Sequence, residues 1–238
     1  VAAGVHVALL DRDAAGCATL AGEINASGGR AIAAPCDISD PASIATATAS
    51  VTTAFPKLDI LVNNAGILRA GPLADLPLAE WNALLGVNLT GCFLAAQAFR
   101  PALLAAAAGC DTAAIVHIAS IAASHPQPRS GAYSPSKAAV AMLSRQLALE
   151  WGPDRIRSNS VSPGLVITPM SQAFYEAPGI TERREAMVPL RRIAGPQDMA
   201  DAVLFLASPR ASYVTGAEIL VDGGLGQVVM GLTPRPGF

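Results

Sequence analysis

Short runs of aliphatic and β-branched residues alternate along this 238-residue chain with longer stretches of helical patterning. That alternation constrains the fold more than any other feature. Strand-like runs fall at 5–10, 30–34, 58–62, 113–118, 156–161 and 217–221. Several are nearly all apolar, as strands buried on both faces of a parallel sheet are. Helical patterns lie near 13–27, 40–54, 79–107, 132–151 and 196–207. Helical crossovers join parallel strands, so the expected fold is α/β, a Rossmann-type doubly wound parallel sheet in three αβα layers. No internal repeat or low-complexity linker divides the chain, and residues 1–238 are expected to form a single domain.

Element ends carry local signals. Asp40-Pro41 and Gly195-Pro196 read as N-cap followed by a first-turn proline. Gly28-Gly29 reads as a helix stop. The segment 168–195 has weak periodicity, mixes Pro, Met, Phe and Tyr with four arginines, and follows a strand end, which marks it as a substrate lid.

Charge excludes some functions. The formal net charge is −2 with no basic run, so neither nucleic acid nor an anionic membrane surface is expected as a partner. The Ala-rich stretch 94–108 is interrupted by Arg100 and Pro101, and no membrane span or signal peptide is expected. Cys17, Cys36, Cys92 and Cys110 form no C-x-x-C pair and have no accompanying histidine cluster. No metal site and no disulfide are expected, and a cytoplasmic location follows as the default.

Chemistry is concentrated at Tyr133-Ser134-Pro135-Ser136-Lys137. A spacing of four puts Tyr133 and Lys137 on one helix face, one turn apart. An ammonium beside a phenol favours the phenolate, so the Tyr133 pKa is expected below its ordinary value of about 10 and Tyr133 is expected to act as a general acid/base. Ser120 follows the 113–118 strand, where its hydroxyl can hold a substrate oxygen as charge develops.

With these stand Asn63-Asn64-Ala65-Gly66 after a strand, Val87-Asn88-Leu89-Thr90-Gly91 in a helix and Pro163-Gly164 after another strand. Tyr213-Val214-Thr215-Gly216 and Val221-Asp222-Gly223-Gly224 complete the series. In this order the chain resembles the short-chain dehydrogenase/reductase family over nearly its whole length. The resemblance implies a catalytic tetrad of Asn88, Ser120, Tyr133 and Lys137. Asn88 would hold a water linking Lys137 to solvent, and Lys137 would also bind the nicotinamide ribose. The implied reaction is interconversion of a secondary alcohol and a ketone by hydride transfer.

On the cofactor side, Asp11 ends the first predicted strand. A carboxylate there binds the adenosine ribose hydroxyls and repels a 2′-phosphate, favouring NAD over NADP despite the neighbouring Arg12. By resemblance, Asp37 and Ile38 contact the adenine, and Asn63, Ala65 and Gly66 pass close to its ribose. Pro163, Gly164, Val166 and Thr168 contact the nicotinamide carboxamide. The helices 79–107 and 132–151 and the region 205–238 resemble the family's interfaces, so a homotetramer is implied. The tail 227–238, with apolar Val228-Val229-Met230, extends beyond the family core and would pack on a neighbouring subunit or fray.

The chain departs from the family in two ways. The family begins with a strand and a T-G-x-x-x-G-x-G turn that holds the pyrophosphate. This chain begins at Val1-Ala2-Ala3-Gly4, which resembles the end of the helix after that turn. The sequence is therefore expected to be N-terminally incomplete by about twenty residues, judged by the size of a βα unit. His117 and Ala119 stand where the family often has Asn and Ser, and both are expected to affect packing. Substrate walls are expected from 121–132 and 165–195. His125, Gln127 and Arg129 are polar candidates there, and Arg183, Arg184, Arg191 and Arg192 are expected on solvated faces. Phe174, Tyr175 and Met187 would make an apolar lid surface. Two other functions fit the same motifs: an NADPH-dependent 3-oxoacyl-carrier-protein reductase, and a catalytically idle dinucleotide-binding protein.

Overall fold

The structure, a computed structural model, describes residues 4–108 and 112–232. The chain runs β1 (Val7–Leu9), α1 (Ala14–Ala26), β2 (Ala31–Ala33), α2 (Pro41–Ala54), β3 (Ile60–Asn63), α3 (Leu78–Leu85) and α4 (Gly91–Ala107). It continues with β4 (Ala113–Ile118), α5 (Tyr133–Trp151), β5 (Ile156–Pro163), α6 (Ile180–Met187), α7 (Pro196–Ala207) and β6 (Glu218–Val221). The six predicted strands and five predicted helical segments are all present near their expected bounds. Every pairing between them is parallel.

The strands form two hydrogen-bonded groups, β1-β2 and β3-β4-β5-β6, rather than the one continuous ladder expected. β1 and β3 each pair on one side only, so hydrophobic contact joins the groups instead. Ala8, Ile32 and Ala34 share a cluster with Ile44, Ala47 and Val51 of α2, Phe99 of α4, and Leu61 of β3.

Local chemistry explains the helix ends. The Asp13 carboxylate accepts from Gly16 N at 3.0 Å and Asp40 from Ala42 N at 3.0 Å, each satisfying an orphan amide of a first turn. Gly28 adopts φ +84° to stop α1.

The run Leu78–Ala107 is long and apolar enough, by length and composition alone, to cross a membrane. Its apolarity is accounted for by the core, where Ala96, Leu103 and Ala107 pack against Ala113 and Ile115 of β4 and Ile156 of β5. It is not one regular helix, because a π-helical turn at Gly86–Thr90 separates α3 from α4.

Arg157 on β5 is buried, and its guanidinium donates to the carbonyls of Leu206 at 2.7 Å and Ser208 at 3.3 Å. It thus answers the unpaired carbonyls at the end of α7 and fixes that helix against the sheet. Cys17, Cys36 and Cys92 are free and buried, and Cys110 lies outside the described residues.

Candidate active site

β4, β5 and β6 all end on one side, and the predicted residues gather beyond their carboxyl ends, the usual place for a ligand in a wound α/β sheet. Ser120 lies two residues past β4. Its Oγ accepts from Ala122 N at 3.1 Å, which holds the hydroxyl at the mouth of a short 3₁₀ turn, Ile121–Ala123. α5 starts at Tyr133, so Tyr133 and Lys137 share a face as expected. Lys137 Nζ donates to Ile118 O, the last carbonyl of β4, at 2.7 Å, and sits 5.7 Å from the Tyr133 ring centroid.

The expected lowering of the Tyr133 pKa is not what this geometry gives. Burial pushes the phenol up, and the opposing influence is a hydrogen bond with the Ser120 hydroxyl. Lys137 faces the ring and spends a proton on a backbone carbonyl. Burial also weakens the lysine as a cation, pulling its pKa down to about 8 against the opposing Cys92 thiol. Ser120 is the neighbour that opposes the rise of the phenol.

Asn88 sits in the π-helical turn, fully buried. Its Oδ1 accepts from Ile67 N at 2.8 Å, and its Nδ2 donates to Ile67 O at 3.0 Å and to Ser136 Oγ at 3.0 Å. Asn88 therefore joins the loop after β3 to α5 rather than packing within its own helix. A side chain added at Gly66 would lie 3.5 Å from both Asn88 Oδ1 and Lys137 Nζ, so the glycine turn passes directly over two members of the tetrad.

The cofactor candidates divide in two. Asp11 is exposed at the end of β1, with Oδ1 accepting from Asp13 N at 3.0 Å. Ala65 and Gly66 are half-buried on the turn. Pro163, Gly164 and Val166 continue from β5, and Thr168 opens the lid with its Oγ1 3.2 Å from Ser171 Oγ. Two candidates also bond within the protein itself. The Asp37 carboxylate accepts from Ser39 N at 2.9 Å and Ser39 Oγ at 2.6 Å, which holds its pKa below the ordinary value. Asn63 is buried, and its amide nitrogen donates inward to Cys92 O at 3.2 Å.

A family model described as "Enoyl-(Acyl carrier protein) reductase" matches residues 1–226. D-threitol dehydrogenase from Mycolicibacterium smegmatis is 36% identical over 221 residues, covering 93% of this chain and 83% of the relative. Galactitol 2-dehydrogenase (L-tagatose-forming) from Cereibacter sphaeroides is 40% identical over 226 residues, covering 94% and 86%. A gluconate 5-dehydrogenase from Burkholderia cenocepacia J2315, solved with NADP and tartrate, superposes with a TM-score of 0.89 at 31% identity, covering 96% of this chain and 88% of that one. The chain belongs to the short-chain dehydrogenase/reductase family. It is an NAD(P)-linked oxidoreductase that interconverts a secondary alcohol and a ketone.

In this dehydrogenase the segment 168–195, expected to form a lid, is structured. It contains a 3₁₀ turn, Gln172–Tyr175, which periodicity did not reveal, and then α6, the helix that carries Arg183 and Arg184 after Thr181-Glu182. Arg183, Arg191 and Arg192 are exposed, as expected, and each also has a partner within the protein. Arg184 lies 4.7 Å from the Tyr175 centroid and 5.9 Å from that of Phe174. Arg192 forms a two-pronged ion pair with Asp198, while Arg183 and Arg191 donate to Gly179 O and Ala186 O. His125 lies exposed before α5, its Nδ1 2.9 Å from Ser124 Oγ. Gln127 and Arg129 are exposed there too.

Ile38 is seated by Gly91. A side chain at Gly91 would lie 2.7 Å from Ile38 O and 2.8 Å from its Cγ1. The dehydrogenase with Gly91→Val is therefore expected to lose about 1–3 kcal/mol in urea denaturation, the usual cost of overpacking, and to bind dinucleotide more weakly as Ile38 is displaced. Unchanged stability would show that the 38–91 contact yields freely.

Proposed function

We propose that the chain oxidises a secondary hydroxyl of a neutral polyol, using NAD⁺, with Tyr133 as general base. The observation that carries this is the convergence of Ser120, Tyr133, Lys137 and Asn88 beneath the Gly66 turn.

The residues fit a nicotinamide dinucleotide. The Gly66 turn leaves room that a Cβ would fill. Lys137 has two ammonium protons beyond the one given to Ile118 O, which suits ribose hydroxyls. Asp11 would take the adenosine ribose, and Ala65, Gly66, Pro163, Gly164, Val166 and Thr168 would line the rest. The bound dinucleotide supplies the hydride acceptor.

Ser120 holds the substrate oxygen and Tyr133 takes its proton. Asn88 would hold the water through which Lys137 exchanges that proton with solvent. A neutral polyol is favoured because Arg184 stacks and Arg192 is ion-paired, and because the two similar curated dehydrogenases named above act on threitol and galactitol. Turnover of a polyol panel with NAD⁺ tests the reading, and the absence of turnover on every member would exclude it.

NAD is favoured over NADP by the Asp11 carboxylate. Asp11→Ala is expected to raise NADPH affinity relative to NADH by about 5- to 50-fold, through loss of repulsion and of a charge-assisted hydrogen bond. Fluorescence titration with both cofactors checks this, and an unchanged ratio would remove Asp11 from cofactor choice.

A homotetramer is supported by exposed apolar side chains in two places. Phe93, Met142 and Leu149 lie on α4 and α5, and Leu204, Phe205, Tyr213 and Leu220 lie around α7 and β6. A cytoplasmic location is supported by the free buried thiols.

A further inference from the structure

His117 lies in β4, whose other five residues are hydrophobic, and it is completely buried. A polar side chain in such a place needs a partner. Its partner is Asn63, its register neighbour on β3, with Asn63 Nδ2 3.2 Å from His117 Nδ1. The same Nδ2 donates to Cys92 O at 3.2 Å. A carboxamide oxygen could not donate to that carbonyl, so the atom facing both groups is the nitrogen, and His117 Nδ1 accepts. The imidazole proton is therefore on Nε2, which is buried and without a partner among the described residues. Protonation at Nδ1 would set two donors face to face. The ring is held neutral, in one tautomer.

What this acceptor fixes is the turn that passes over Asn88 and Lys137. Asn63 anchors the turn at its start. Asn88 anchors it at the end, bonding both N and O of Ile67. The two anchors meet on α4, because Cys92 O accepts from Asn63 and Cys92 Sγ donates to Asn88 O at 3.2 Å. Between the anchors lies Gly66, against Asn88 and Lys137.

We propose that His117 is a positioning residue for the dinucleotide site: by accepting from Asn63 it orients the amide that anchors the Asn63–Gly66 turn. This rests on the reading that the turn holds the dinucleotide.

His117→Leu keeps most of the volume and removes the acceptor. His117→Asn places Oδ1 as many bonds from the backbone as Nδ1 and restores it. The loss of one buried hydrogen bond is expected to weaken NADH binding by about five- to tenfold in His117→Leu, while His117→Asn stays within about twofold of the wild type. With cofactor saturating, kcat should move far less than KM for NAD⁺ in His117→Leu. Wild-type NADH affinity in His117→Leu would overturn the proposal. So would equal weakening in both variants, since ring shape rather than the acceptor would then matter. If His117→Leu fails to fold, His117→Asn decides alone, with near-wild-type affinity supporting the proposal and a tenfold loss overturning it. Gly66→Val separates the two ideas. Normal NADH binding in Gly66→Val removes the turn from the cofactor site, whereas lost binding there with normal binding in His117→Leu removes only His117.

Discussion

Tyr133→Phe is expected to lower kcat by roughly 10²- to 10⁴-fold, the usual contribution of a positioned general acid/base, while NADH still binds. The substitution deletes a hydroxyl and leaves the ring, so the Lys137 ammonium keeps its place 5.7 Å from the centroid and its bond to Ile118 O. Cofactor affinity should therefore separate from turnover. The pH profile adds a second readout. Burial raises the phenol, and Ser120 is the neighbour that opposes the rise. Ser120→Ala should move the ascending, acidic limb of kcat/KM for alcohol oxidation to higher pH as well as lowering the rate, because the base becomes harder to ionise. A Tyr133→Phe enzyme that turns over polyols at the wild-type rate would take Tyr133 out of the chemistry. Loss of rate together with loss of NADH binding would instead show that the ring supports the site. The idle-protein alternative predicts no turnover in the wild type, with binding intact.

Periodicity exposed the elements whose environment is uniform. β4 is apolar on both faces, and its expected bounds at 113–118 match the observed strand. Asp40-Pro41 works through local bonds, so its N-cap was equally legible. What depended on distant contacts was not. The π-helical turn at Asn88 interrupts a continuously helix-compatible run, so the sequence reads as one helix where two segments occur. Spacing placed Lys137 beside Tyr133 but could not show that Ile118 O holds its ammonium or that the phenol would be buried, and burial is what raises the phenol. Asp37 and Asn63 stand in motifs that imply cofactor contact, and the structure adds bonds between Asp37 Oδ1 and Ser39 and from Asn63 Nδ2 to Cys92 O that no motif announces. His117 did carry a signal, since an imidazole inside an apolar strand requires a partner. The partner lies fifty-four residues away and appears only when β3 and β4 pair.

Acidification offers the other large effect. Burial, helped by the Lys137 charge, lowers the His117 pKa from 6.5 to about 4 in the folded chain. Below pH 6.5 the unfolded chain takes up a proton that the folded chain refuses. Stability is therefore unaffected by this group at neutral pH, falls as pH drops from 6.5, and reaches its full loss near pH 4, about 3 kcal/mol in all. The carboxylates with lowered values, Asp37 and Asp198, act below their ordinary pKa of 3.8, so they leave this interval to His117. Lys137, moved from 10.5 to about 8, acts above it. Urea denaturation between pH 7 and pH 4 measures the slope, and His117→Asn supplies the comparison because its amide does not titrate. The wild-type curve should descend more steeply than the variant's, and the separation between them should change by about 3 kcal/mol across the interval. Parallel curves would mean that His117 is protonated as readily in the folded chain as in the unfolded one. That would contradict the acceptor role at Nδ1, because a protonated ring could not receive the Asn63 amide.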